Sequence, residues 1–74
     1  MKAKIKLFAT LRTGRFEVSE MELSDGTTIH SLISSLGIGV NEAAIIFING
    51  IHAELDTVIK PGDDVAIFPP IGGE

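Results

Sequence analysis

Residues 60–73 read Lys60-Pro61-Gly62-Asp63-Asp64-Val65-Ala66-Ile67-Phe68-Pro69-Pro70-Ile71-Gly72-Gly73. Pro61-Gly62-Asp63 has turn chemistry: proline presets φ, glycine tolerates positive φ, and aspartate bonds back to its own backbone. Residues 65–68 then alternate as a strand, Val65 and Ile67 on one face, Ala66 and Phe68 on the other. Pro69-Pro70 stops the ladder, because proline has no amide donor. Ile71-Gly72-Gly73-Glu74 is left as a tail.

Upstream of that strand, residues 44–49 form an apolar run rich in β-branched side chains, which predicts a well-covered strand. Asn49-Gly50 is a strong tight-turn signal, so Ile51-His52-Ala53 pairs briefly on its far side. Residues 57–60 lead into the Pro61 turn. Ser24-Asp25-Gly26 marks an earlier turn, and a helix follows it. Thr27 or Thr28 can cap its start with a hydroxyl. Ile29, Leu32, Ile33 and Leu36 fall at i, i+3, i+4 and i+7, one face of two to three turns. Gly37 suits the left-handed position that ends such a helix. Residues 3–9 alternate, with Ala3, Ile5 and Leu7 pointing one way and Lys4, Lys6 and Phe8 the other. Thr13-Gly14 is a turn, and residues 15–23 read as a second strand in a hairpin with the first. Phe16 and Val18 are out of step with Met21 and Leu23, which predicts a bulge near Ser19-Glu20.

The order is ββαββ(β), the α+β class. It predicts a mixed four- to five-stranded sheet with one amphipathic helix packed across one face. Ile5, Leu7, Ile46, Ile48, Val65 and Ile67 should meet Ile29, Leu32, Ile33 and Leu36. Residues 1–70 form one domain, and residues 71–74 are its C-terminal tail. A chain of 74 residues buries only about 60% of its unfolded surface, so its core is small. The 45% hydrophobic content still argues against disorder.

Composition removes several function classes. There is no cysteine, hence no disulfide, thiolate nucleophile or Cys-based metal site. His30 and His52 stand in no metal spacing, and both are expected on the surface; no metal site is expected. A net charge of −4 gives nucleic-acid binding no electrostatic support, and Trp and Tyr are absent. No apolar run approaches the ~20 residues of a membrane helix. Lys2, Lys4 and Lys6 alternate with apolar residues in a strand pattern, unlike a signal peptide, so the expected compartment is the cytoplasm. Asp63-Asp64 reads as a turn rather than an acid–base pair, since adjacent strand residues face opposite ways. Gly37-Ile38-Gly39 lacks the strand before it that a dinucleotide motif needs. Arg12 can serve a partner acid or plain surface.

Three segments resemble the MoaD/ThiS family of ubiquitin-like sulfur carriers. Leu7-Phe8-Ala9-Thr10-Leu11-Arg12 is similar to the family's Phe-Ala-x-Leu-Arg. Phe47-Ile48-Asn49-Gly50 is similar to its central Val-Asn-Gly. Residues 60–73 resemble its last turn, last strand, diproline and terminal glycines in order. The resemblance spans essentially the whole chain and implies a β-grasp fold. It implies that the terminal glycine, Gly73 preceded by Gly72, is adenylated by a MoeB/ThiF-like enzyme using ATP and then converted to a thiocarboxylate. The chain itself would bind no cofactor and be non-catalytic alone. In MoaD-like members the sulfur goes to a pterin precursor of the molybdenum or tungsten cofactor, in a complex with a MoaE-like large subunit. In ThiS-like members it goes to the thiazole of thiamin, with a thiazole synthase as partner. The Phe-Pro-Pro segment and the Phe-Ala-x-Leu-Arg start favour the MoaD type. A modifier joined to lysines through Gly73, as in archaeal small modifiers, and a plain interaction module are the other readings.

The residues suit that chemistry. Without cysteine, sulfur cannot ride on a side-chain thiol, but a terminal carboxylate can be activated and thiolated. Two glycines make a tail narrow enough for a buried active site, and Pro69-Pro70 stiffens its base. Glu74 departs from the family pattern, whose members usually end on glycine. It is removed to expose Gly73, or tolerated by the partner, or the chain is not a carrier; the sequence leaves all three open.

Strand phase makes one more prediction. Phe8, Phe47 and Phe68 all point away from the helix, on neighbouring strands. They should form an exposed patch beside the tail, extended by Ile45 and Ala66, with Lys4 and Lys6 on its rim. Patches of this kind mark partner surfaces. Pro69, Pro70 and Ile71 continue that expected surface toward the glycines.

Overall fold

The computed structural model describes residues 1–70. The predicted tail, with Ile71, Gly72, Gly73 and Glu74, lies outside the described residues. The elements are β1 (Lys2–Leu7), β2 (Val18–Glu22), α1 (Ile29–Ser35), β3 (Ile45–Ile48), β4 (Ile51–His52) and β5 (Asp64–Phe68), with a 3-10 turn at Ala9–Arg12. The five strands form one sheet in the order β2-β1-β5-β3-β4. β1 and β5 pair in parallel at its centre, and every other pairing is antiparallel. Two hairpins are therefore joined through the first and last strands, and one helix lies on the face they share. That is the β-grasp topology.

The central parallel pair sets Ile5 beside Val65 and Leu7 beside Ile67. All four are buried, together with Ile29, Leu32 and Ile33 of α1 and Ile46 of β3. A seven-residue helix is too short to persist alone, so this packing holds it. Thr28 caps its start: the Thr28 hydroxyl oxygen accepts the Ser31 N–H at 3.2 Å. At its end Gly37 takes φ +76°. The Ile38 N–H then donates to the Ile33 carbonyl at 2.9 Å and the Gly37 N–H to the Ser34 carbonyl at 3.1 Å. This closure turns Ile38 into the core. Ile48 and Leu36, expected in the core, are only partly buried and pack at its edge. Ile59 is 1% exposed although its neighbours read as loop. The backbone explains it: the Ile29 N–H donates to the Thr57 carbonyl at 3.0 Å and the Ile59 N–H to the Thr27 carbonyl at 2.8 Å. Residues 57–59 thus run along the start of α1 and press Ile59 inward.

The first hairpin differs from its sequence reading. β1 ends at Leu7, after which Ala9 adopts φ +53° and the chain coils into the 3-10 turn that buries Leu11. β2 begins at Val18 rather than residue 15. Its ladder runs unbroken from Lys2–Glu22 to Lys6–Val18, so there is no bulge at Ser19-Glu20. Phe16 packs on the core from outside the ladder, while Val18 stays 53% exposed. The apparent phase slip came from counting Phe16 as a strand residue and Val18, which faces outward, as a core position.

Candidate docking face beside the chain end

β5 turns Val65 and Ile67 toward α1, which leaves Asp64, Ala66 and Phe68 on the outer face. Register then fixes their neighbours. Ile45 lies opposite Phe68, Phe47 opposite Ala66, and Lys6 beside Ala66. Phe8 stays extended just past β1, and its N–H donates to the Ile67 carbonyl at 3.2 Å, so its ring reaches the same face. The Phe8 and Phe68 rings stack with centroids 4.2 Å apart and planes 11° from parallel. Phe47 meets Phe68 edge-on at 5.9 Å. All three rings are partly buried, and none belongs to the core on the helix side. Phe47, Phe68 and Ala66 border a shallow depression of about 470 Å³ that ends on Lys6, Asp64 and the Asn49-Gly50 turn.

The other half of the face is charged. Lys2 pairs in register with Glu22, and Lys4 with both Glu20 and Asp64. Lys6 and Asp64 form an ion pair at 3.2 Å. The outer face thus has an apolar end, where the chain leaves the sheet, and a compensated polar end. Pro69 is half-buried and Pro70 exposed directly after Phe68. The expected site residues Ile71, Gly72 and Gly73 lie outside the described residues. Arg12 is exposed and 3.5 Å from Glu17.

Sequence reasoning missed His52 as a member of this face. Its ring stands edge-on to Phe47 at 6.0 Å and its Nδ1 lies 3.6 Å from Glu54. The signal was available: a two-residue turn at Asn49-Gly50 sets His52 opposite Phe47. It also missed the tie between two turns. The Asn49 Nδ2 donates to the Asp63 Oδ1 at 2.9 Å, and the Asn49 Oδ1 accepts the Asp64 N–H at 3.0 Å. Asp63 Oδ2 accepts the Lys60 N–H at 2.8 Å, so the Asp63 carboxylate is occupied in holding the turn, while the Asp64 carboxylate pairs with Lys6. Among the described residues no group of three or more His, Asp or Glu gathers as a metal site, and no helix is long and apolar enough to cross a membrane.

The ThiS family model matches residues 5–73. No curated protein sequence matches the chain at a significant level. A solved structure from Pyrococcus furiosus, assigned as molybdopterin converting factor subunit 1, is 30% identical with a TM-score of 0.75, over 96% of this chain and 99% of that one. Small archaeal modifier protein 1 of Haloferax volcanii shares the fold at 21% identity and TM-score 0.76, covering 95% of this chain and 98% of that one. So does a complex of subunits 1 and 2 of molybdopterin-converting factor from Helicobacter pylori, at 22% identity and TM-score 0.65, covering 100% of each chain.

Proposed function

The chain belongs to the ThiS/MoaD family of ubiquitin-like sulfur carriers, and from that premise we propose that it carries sulfur for molybdopterin assembly as a thiocarboxylate on Gly73. The observation that supports this most is the Phe8–Phe68 stack with Phe47 at the end of β5. It places an aromatic anchor cluster five residues before Gly73 in the chain, where a partner that gripped the face would also receive the tail. A MoeB/ThiF-like enzyme supplies ATP and the catalytic groups. A carboxylate oxygen of Gly73 attacks the α-phosphorus, and the bond to pyrophosphate breaks. A sulfide equivalent then attacks the acyl carbon, and AMP departs with the C–O bond. A MoaE-like subunit docks on the same face to receive the sulfur. These steps belong to the cytoplasm, where ATP is available.

Glu74 stands between the chain as written and this chemistry. The test is to incubate the chain, with and without Glu74, with ATP, a MoeB/ThiF-like enzyme and a sulfide source, and to weigh it intact. The sulfur-for-oxygen mass gain is expected on the form ending at Gly73. Gain on the longer form as well means the partner tolerates Glu74. No gain on either form overturns the proposal. A thiamin role is the second reading, favoured because the matching family model is that of ThiS. Native co-purification with a thiazole synthase rather than a MoaE-like subunit would select it.

A further inference from the structure

Asn49 and Gly50 are both exposed, with φ of +54° and +81°, a type I′ turn. An asparagine followed by glycine can lose its amide without an enzyme. The Gly50 backbone nitrogen gives its proton to water or hydroxide and attacks the Asn49 Cγ. The Cγ–Nδ2 bond breaks, ammonia leaves, and a five-membered succinimide remains. Water then opens either carbonyl, leaving aspartate or isoaspartate at position 49. Nothing is oxidised or reduced. Glycine favours the attack because it has no side chain to obstruct the ring, and the space where a Gly50 Cβ would stand is open to 4 Å.

The fold opposes that ring. Closure requires the Asn49 Cγ to swing onto the Gly50 nitrogen. Instead its Nδ2 donates to Asp63 at 2.9 Å and its Oδ1 accepts from the Asp64 backbone at 3.0 Å. Both bonds must open before the nitrogen can attack. We propose that Asn49-Gly50 is a spontaneous deamidation site gated by this clasp. Once reaction occurs the half of the clasp that faces Asp63 cannot reform. An aspartate at 49 puts a carboxylate where the amide donated, against the Asp63 carboxylate, and the two repel. Isoaspartate adds a methylene to the backbone and breaks the two-residue turn. The damage falls at the edge of the depression that Phe47 and Phe68 border. The inference stands on the turn and its clasp and does not depend on the sulfur-carrier reading.

The chain has one other asparagine, Asn41, followed by Glu42. The bulkier successor hinders ring closure, so Asn41 is an internal control. The full chain and its Asp63→Ala variant are incubated at mildly alkaline pH, then weighed and peptide-mapped. A one-dalton gain is expected at Asn49, as a mixture of aspartate and isoaspartate, with Asn41 unchanged. It should be about tenfold faster in the variant, equivalent to about 1.4 kcal/mol of lost hold on the amide. Because Asp63 also holds the Lys60 N–H, circular dichroism verifies that the variant is folded. Should it not fold, Asn49→Asp decides: its melting temperature at neutral pH should fall below that of the parent. Equal rates in the two folded proteins, reaction at Asn41 first, or an Asn49→Asp chain as stable as the parent overturns the proposal.

Discussion

Arg15 shows how much one side chain can do without a local signal. Its Nε donates to the Leu36 carbonyl, its Nη2 to the Gly37 carbonyl and its Nη1 to the Leu11 carbonyl, each at 3.0 Å. Leu36 and Gly37 end α1, so the cation sits at the negative end of the helix dipole. Leu11 belongs to the 3-10 turn after β1, so the same fork ties that turn to the helix. Neutral hydrogen bonds are worth about 1 kcal/mol net and those to charged groups about twice that. Arg15 is half-exposed, which discounts each of them. Arg15→Ala should therefore lower the unfolding free energy by about 2 kcal/mol in urea denaturation. Arg15→Lys should recover little, because one ammonium cannot span three carbonyls as a planar guanidinium does. A loss below about 0.5 kcal/mol, the scatter of ordinary surface changes, would show the fork to be idle. None of this was legible in the sequence: two of the partners are 21 and 22 residues away and are backbone atoms, which carry no residue identity.

Elements were legible where local rules fix them. The Thr28 cap, the 29–32–33 face and the Gly37 terminus follow from spacing and backbone preference, and the structure has each. β2 was not, because Phe16 is buried by tertiary packing from outside the strand, and periodicity cannot tell that from a strand position. The β1–β2 ladder is closed at its far end by the chain's first residue. The Met1 ammonium donates to the Glu22 Oε2 at 2.8 Å and to the Leu23 carbonyl at 2.9 Å, and the Leu23 N–H donates to the Met1 carbonyl at 2.7 Å. The hydrogen bond from that ammonium, then its Coulombic attraction, hold the Glu22 carboxyl below its ordinary value; a small desolvation effect works the other way, and Lys2 adds a minor pull downward. A folded pKa below the unfolded one contributes stability above the unfolded value and loses it as pH falls through the folded value. The stability gap between the parent and Glu22→Gln should therefore be widest near neutrality and close progressively as pH falls below the ordinary carboxylate value and through the lowered one. Urea denaturation across that range measures it. A gap independent of pH would show that the ion pair does not couple to folding.

At the scale of the whole molecule, one sheet serves two purposes, and alternation along β5 separates them. Ile67 points into the core against α1; Phe68, the next residue, points out into the ring cluster. Strand phase alone made both faces legible, since period two leaves no third choice. His52 escaped because its place depends on the turn geometry as well as on phase. A 74-residue domain has roughly 4–11 kcal/mol of stability. Removing a buried isoleucine costs about 2–5 kcal/mol even when the replacement is alanine, and serine adds a buried hydroxyl. Ile67→Ser should therefore leave the chain largely unfolded at physiological temperature. Phe68→Ser removes an outward stack worth about 0.5–1.5 kcal/mol beyond its area, and the core beneath it is untouched. That variant should stay folded. If the ring cluster is what a partner grips, losing its central member costs a hot spot's ~2 kcal/mol or more, about thirtyfold in affinity for the adenylating enzyme. The pair of substitutions is read by circular dichroism for folding and by calorimetry for binding. A folded Phe68→Ser chain that binds with parental affinity would remove the ring cluster from the docking face, and an unfolded one would assign Phe68 to the core.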